Sequence, residues 1–504
     1  MKVPAEVSWR LNDGVARADL EAALAPRFSV EWRDGPAAVT TCYDDADAAL
    51  WHADCLLCES GAEMSMTRAG VPVGAAAWRG DARFWWDFPA GALRDALRPL
   101  VGVRAVFPVA THAVGESALT LVNEDGKIVV RATVVRSVVD GYPVHYLTLK
   151  PLRGYEAQSI DACRRIGHLL ASKADLGMRA MLAGHRIAAF SACPTRVPAI
   201  PADMPSEQAV RIMAHGMLAA AQRHVYGVVG DIDTEFLHLF RVGLRKTRSL
   251  VSLMKKTLPE ATAARLRPRL AGMAARTSTL RDLDVYLLAQ HGYVASLPVD
   301  FEAGMAELTA QVAARRAQAH TEVAAYFSSA AFRGDSDACL AALSLQPDLA
   351  TPAASKPVLP AVKRQMLKRF AGLQAMCRLL DEDSADDDLH ALRIECKKLR
   401  YLFEFFMDLL PKKRSARLLG DLKKLQGVLG DFNDLSVQID FLNAFQDPAR
   451  ADMTKAVHGL TAILHMKKRI VRGRIFDALD GYFTENRAIE FALVFGTRHQ
   501  KEAA

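Results

Sequence analysis

The chain of 504 residues is long enough for two or three domains with cores of their own, and its balance of apolar and charged residues is that of a globular protein. No uninterrupted apolar run reaches the roughly 18 residues of a membrane span. Charged and alternating residues follow Met1-Lys2-Val3-Pro4-Ala5-Glu6 without a signal-peptide core, so a cytoplasmic protein is expected. The net charge of +7 is uneven: residues 1–180 hold 20 Lys and Arg against 22 Asp and Glu, and the remainder holds 44 against 35. A polyanionic partner therefore belongs to the C-terminal part.

From Val7 to about Pro151 the pattern is strand-like, with β-branched alternating runs broken by turn residues. Leu119 to Val135 reads as a hairpin around Glu124-Asp125-Gly126-Lys127, and Val144 to Lys150 as a further strand. A closed or strongly curved antiparallel sheet is expected. Cys55-Leu-Leu-Cys58 is the only CxxC and has no second pair at zinc spacing, so the eight cysteines are expected to be thiols, mostly buried. Trp51, Trp85 and Trp86 read as a buried aromatic cluster.

Ser159 to Ala189 is helical in pattern, and the proline-rich run Cys193 to Pro205 marks a domain boundary. Beyond it the periodicity is almost wholly helical. One half reads as helices over Ser206 to Val229, a basic motif helix, Ala261 to Thr277, Leu280 to the early 290s and Glu302 to Tyr326. The other reads as Pro360 to Leu380, a second motif helix, Lys413 to Leu429, Phe432 to Phe445 and Ala451 to Phe483. A second proline-bearing connector, Gln346 to Pro360, separates them. Short loops favour antiparallel neighbours, so each half is expected to be a bundle of four or five helices, with the two bundles facing one another across an approximate two-fold.

The two motif helices are copies. His238-Leu-Phe-Arg241-Val-Gly-Leu-Arg245-Lys246-Thr-Arg248 returns 152 residues later, from 238 to 390, as His390-Ala-Leu-Arg393-Ile-Glu-Cys-Lys397-Lys398-Leu-Arg400. On a helix the steps +3, +7 and +10 from each histidine fall within about 80° of one another, a basic stripe roughly 15 Å long, while the +8 lysine lies off it. Phe240, Leu244, Val251 and Met254 share a separate face, as do Leu392, Cys396, Phe403 and Phe406, and these faces are expected to be buried. Glu404 falls on the extension of the second stripe. A companion segment, Arg281-Asp282-Leu283-Asp284-Val285, returns at the same spacing as Asn433-Asp434-Leu435-Ser436-Val437.

Other cations are candidates for a wider basic surface: Lys363, Arg364, Lys368, Arg369, Lys423, Lys424, Lys467, Lys468, Arg469, Arg472 and Arg474 in the second half, and Arg315 and Arg316 in the first. Each alone reads as a solvated helix face. Asp282, Asp284, Asp431 and Asn433 are expected to cap helix starts, and the acidic run Asp381 to Asp388 suits the N-terminus of the second motif helix.

The paired motif and its companions resemble the CHAD family over roughly 206–491, and the landmarks of the N-terminal part resemble a degenerate member of the CYTH, or triphosphate tunnel, family. Glu6-Val-Ser8-Trp-Arg10 stands where CYTH proteins have an ExExK strand, and Tyr43-Asp44-Asp45 where they have a YFDT-like turn. The second Glu is Ser8, and the later carboxylate strand reads His145-Tyr146-Leu147, so metal-assisted catalysis is expected to be lost and only Glu6, Arg10 and Arg68 remain as catalytic candidates. The resemblance implies a multi-domain α+β chain: a β-barrel-like CYTH-like domain at 1–185, a proline-rich linker at 186–205, and an all-α CHAD-like domain at 206–492 with halves 206–345 and 360–492 joined by 346–359. It also implies binding of inorganic polyphosphate, and association with polyphosphate granules, through His238, Arg241, Arg245, Lys246, Arg248, His390, Arg393, Lys397, Lys398 and Arg400.

The chemistry of the stripes agrees with that implication. A phosphate chain offers charge and no bases, so its site calls for a row of Lys and Arg with few aromatics. A histidine beside such a chain is driven toward its protonated form. Two other readings stay open: a CYTH-type triphosphatase or polyphosphatase, which alone would call for a divalent metal, and nucleic-acid binding. No other cofactor and no membrane partner is expected.

Overall fold

The structure, a computed structural model, describes residues 7–12, 14–68, 71–78, 80–139, 142–173, 200–344 and 352–496. The chain divides into two compact units, 1–194 and 195–504. Among the described residues no helix is long and apolar enough to cross a membrane.

The N-terminal unit is one antiparallel sheet. Its strands are β1 (Val7–Leu11), β2 (Ser29–Asp34), β3 (Ala38–Asp44), β4 (Cys55–Ser60), β5 (Glu63–Arg68), β6 (Val71–Ala77), β7 (Phe107–Val122), β8 (Ile128–Val139), β9 (Tyr142–Pro151) and β10 (Leu170–Lys173), paired in the order β10-β1-β9-β8-β7-β3-β4-β5-β6. The long β7 serves two strands on one edge: residues 117–122 pair with β2 and residues 107–114 with β3. The hairpin between β7 and β8 turns at Asn123, whose side-chain oxygen accepts from the amides of Asp125 and Lys127, while Gly126 supplies the positive φ of 71°.

Among the described residues the sheet does not close into a barrel, because β10 and β6 end the pairing order instead of pairing with each other. On the β6 side a helix, Ala92–Val101, packs so closely that a Cβ at Gly74 would stand 2.7 Å from the Leu93 nitrogen. Burial of Leu93, Leu97 and Val101 against Leu57, Met64 and Met66 makes this a core in its own right. The stretch expected to be helical from Ser159 is an α-helix over Glu156–Ile166 followed by a 3-10 turn at Gly167–Leu169; Leu170–Lys173 is strand, and 174–189 lies outside the described residues. Trp86 is 37% exposed, stacked on Phe84, so the aromatic group is not wholly buried.

In the helical unit the first motif helix spans Thr234–Leu253 and the second Asp386–Phe406. All eight residues of their expected buried faces, from Phe240 to Met254 and from Leu392 to Phe406, are at most 2% exposed. Asp233 starts the first motif helix, its carboxylate accepting from the amides of Glu235 and Phe236. The helices Glu260–Arg276 and Ser278–Val294 follow, broken at Thr277, whereas the corresponding stretch of the second half is one helix, Lys412–Asn443. Leu425, Leu429 and Phe432 are buried along a single face there, and the helix continues through Gly430. Helices Ala330–Ser344 and Glu485–Phe495 add to those the periodicity shows.

Helices Glu302–Ser328 and Ala451–Tyr482 join the halves. A Cβ at Gly304 would lie 2.7 Å from the Asp452 carbonyl carbon and 2.9 Å from the Ala456 Cβ. Gly304→Ala is therefore expected to cost about 2 kcal/mol by overpacking, and Asp233→Ala about 1 kcal/mol by loss of the cap. Denaturant midpoints of the full chain measure both, and an unchanged midpoint for Gly304→Ala would mean that the two helices are free to separate.

Candidate anion-binding site

The two basic stripes meet in one place. His238, Arg241 and Arg245 of the first motif helix and Arg393 and Lys397 of the second line a single cavity of about 430 Å³. Helix Ser278–Val294 adds Arg281, Asp282, Val285, Tyr286 and Tyr293, and helix Lys412–Asn443 adds Asp434, Val437, Gln438 and Phe441. The cations therefore share their space with apolar and aromatic side chains, beside which charges interact more strongly than in bulk water.

The other motif residues are arranged differently. Arg248 and Lys398 share an adjoining recess with Arg245 and Arg267, so Arg245 stands at the junction of the two spaces. His390 is exposed, its Nδ1 2.6 Å from the Asn433 side-chain oxygen. Arg400 pairs with Glu404 at 3.4 Å, which closes that end of the second stripe. Lys398 pairs with Glu395, and Lys246 does not line either space.

The companion segments explain how the stripes are framed. In each half the first companion residue meets the motif histidine: Arg281 acts electrostatically on His238, and Asn433 bonds His390. The second meets the +3 arginine: Asp282 beside Arg241, and Asp434 at 3.4 Å from Arg393. These aspartates, with Asp284, Asp431 and Asn433, sit inside helices instead of capping them, because the helices begin at Ser278 and Lys412. Arg241 is fixed further by bonds from Nη1 to the Ala274 carbonyl (2.7 Å) and the Thr277 hydroxyl (2.8 Å). The helix break at Thr277 presents that hydroxyl. In the second half Leu429 and Gly430 replace Thr277 and Ser278 and have none to offer.

Burial first, and like charge second, depress the basic groups of the site. Burial, then Arg281, Arg245 and Arg241, push His238 down to about 4, so it is neutral at neutral pH in the free protein. Burial, then Arg393, Arg245 and Arg400, push Lys397 down to about 8. Arg241, Arg281 and Arg393 are also held below the usual arginine range, with burial as the largest cause. Arg245, from the first half, acts on both Arg393 and Lys397 of the second, so the stripes face each other. Against five Lys and Arg side chains the lining sets two carboxylates.

Several of the secondary cations go into ion pairs. Arg369 pairs with Glu395 at 2.6 Å, Lys424 with Asp421 at 3.1 Å, and Lys468 and Arg472 both with Asp386 at the start of the second motif helix. Arg316 ties Asp284 to Asp231, and Arg315 lies 4.2 Å over the Phe445 ring. Lys467 and Lys368 line shallow recesses of their own, and Lys363, Arg364 and Lys423 do not line the central cavity. The motif alone does not pick out Arg281; the 152-residue repeat of the companion segment is the signal that does.

In the sheet unit Glu6 lies outside the described residues. Arg10 is on β1 opposite Tyr146, and Arg68 ends β5 opposite Cys55, near opposite ends of the pairing order. Asp44 accepts from the amides of Leu50 and Trp51, and Asp45 from those of Asp47 and Ala49, so this turn serves the short helix Ala49–His52. The sulfur of Cys58 lies 3.5 Å from that of Cys42 across β3 and β4, where the two residues pair.

The CHAD domain family profile matches residues 212–443, a span that holds both motif copies and both companions. Among solved structures the chain is similar to a CHAD domain from the plant Ricinus communis, 24% identical with a TM-score of 0.47, over 56% of this chain and 95% of that one. It is also similar to PptA from Streptomyces chartreusis, 17% identical with a TM-score of 0.44, over 55% of this chain and 99% of that one. No curated protein matches it significantly in sequence. The N-terminal antiparallel sheet is compatible with a CYTH-like tunnel fold, and the helical unit that follows it carries a CHAD domain at residues 212–443.

Proposed function

We propose that the helical unit is a non-enzymatic binding module that holds inorganic polyphosphate in the cavity between its halves, and that this affinity places the protein on cytoplasmic polyphosphate granules. The observation that supports this most is the convergence of Arg241, Arg245 and Arg281 with Arg393 and Lys397 on one partly desolvated space. Folding gathers these cations against their mutual repulsion, and an anion with repeated charges relieves it. The link of the CHAD family to polyphosphate binding points the same way. Arg245, at the junction with the recess of Arg248 and Lys398, gives a chain of phosphates a continuous cationic track between the two spaces.

Reversal of charge tests the site. Arg241→Glu with Arg245→Glu, and separately Arg393→Glu with Lys397→Glu, are expected to weaken binding of long-chain polyphosphate at least about 100-fold and to flatten its salt dependence. Arg315→Glu, on an arginine that packs on Phe445, is expected to cost less than about threefold. Equal losses in all three, measured by titration calorimetry at two salt concentrations, would replace a defined site with diffuse attraction.

His238 gives the pH dependence its sign. In the free protein it is depressed to about 4, and phosphates that offset Arg281, Arg245 and Arg241 raise it again, so binding takes up a proton. Affinity is then gained as pH falls through the bound value, and the gain is complete below the free value. If the bound pKa returns to about 6.5, affinity is expected to rise about eightfold between pH 7 and pH 5.5, and His238→Gln to abolish the rise. Long chains suit the measurement because their internal phosphates do not titrate in that range; a pH-independent affinity in the unaltered protein would exclude proton-linked binding at His238.

A further inference from the structure

The cavity contains acids as well as bases, and their placement is not explained by stability. Asp282 and Asp434 occupy the same place in the duplicated unit, both line the cavity, and each stands beside the +3 arginine of its half. Carboxylates with a structural task look different in this protein: Asp284, two residues beyond Asp282, is buried against the Arg316 guanidinium at 2.9 Å. Asp434 is 65% exposed and reaches Arg393 by one contact of 3.4 Å, at the edge of hydrogen-bond range. Asp282 is held above the usual carboxylate range because burial outweighs the pull of Arg241 and Arg281. Nor does Arg241 depend on Asp282 for its position, since Ala274 and Thr277 already hold its guanidinium.

We infer that Asp282 and Asp434 are built-in competitors for the arginines of the cavity, occupying the place of ligand phosphates and setting the shortest phosphate chain that binds well. This rests on the polyphosphate reading and adds to it a determinant of chain length. A phosphate that approaches Arg393 or Arg241 meets the repulsion of the neighbouring carboxylate. A short anion bears that repulsion while it touches few cations. A long chain bears the same repulsion once and gains Arg245, Lys397 and the adjoining recess as well. The acids therefore subtract a roughly fixed amount from every ligand, which is decisive only for short ones.

The rival role for these acids, holding the arginines in place, predicts the opposite sign. Titration calorimetry of the full chain with tripolyphosphate and with long-chain polyphosphate, for the unaltered protein, Asp282→Asn, Asp434→Asn and the double variant, separates the two. Each single substitution is expected to tighten tripolyphosphate binding about tenfold and long-chain binding less than about threefold, which narrows the preference for length. Asp440→Asn, an exposed acid on the same helix as Asp434, controls for diffuse charge and is expected to change neither by more than about twofold. Weaker tripolyphosphate binding in the Asn variants would make the acids positioning residues, and gains no larger than that of Asp440→Asn would make them background charge; either result overturns the inference. Failure of the unaltered protein to bind either chain would instead refute the polyphosphate reading itself. Should Asp282→Asn fail to fold, the exposed Asp434 still decides the sign.

Discussion

Confinement of like charge governs the helical unit. Three arginines from one half and an arginine and a lysine from the other share a space walled in part by Val285, Tyr286, Val437 and Phe441. In bulk water two such charges a few ångströms apart interact by about 1 kcal/mol, and several times that beside low-dielectric walls. Burial, and after it that repulsion, leave His238 neutral and the ammonium of Lys397 weakened. A site of this kind is held together only by packing elsewhere, because its own electrostatics push the halves apart.

The restraint comes from the faces turned away from the cavity. Phe240 packs edge-on against Phe327, and Phe403 against Phe491 and Phe495, so each motif helix is anchored on its apolar side within its own half. Gly304 lets the helices Glu302–Ser328 and Ala451–Tyr482 approach to backbone contact across the halves. Arg316 binds Asp231 and Asp284, and Lys468 and Arg472 bind Asp386, so these cations are neutralised outside the cavity, while the five inside it face only Asp282 and Asp434. The excess of confined cations over acids is what makes the cavity electrostatically distinct from an ordinary basic surface.

How much of this the sequence discloses depends on the range of the interaction. The stripes and the buried faces are local, fixed by 3.6-residue periodicity and reinforced by duplication, and Phe240, Leu244, Leu392 and Cys396 are buried where the pattern puts them. Arg281 and the two cavity aspartates are legible only as a repeat; that they face the motif helices depends on tertiary packing, with a helix break at Thr277 in one half and a continuous helix through Gly430 in the other. Helix continuity there goes with burial of Leu425, Leu429 and Phe432, and the Gly430-Asp431 step reads equally well as a break. Some secondary cations find acids far off in sequence, as Lys468 finds Asp386, so a solvated face and an ion-paired one look alike in the chain. The open sheet follows the same rule: alternation is identical in open and closed sheets, and closure is a matter of pairing between remote strands.

The duplication is not a perfect symmetry, and its departures have a direction. In the first half Thr277 breaks a helix and fixes Arg241, Arg281 stands where the second half has Asn433, and Tyr286 stands where it has Gln438. The first half therefore carries the more rigid and more highly charged wall, while the second carries Arg393 on a loose contact and Lys397, whose compact ammonium lacks the arginine fork. A rigid wall fixes where a phosphate sits and an adaptable one follows a chain as it varies. On the polyphosphate proposal, two such walls would suit a polymer whose units are identical but whose path is not, with register set on one side and conformation accommodated on the other.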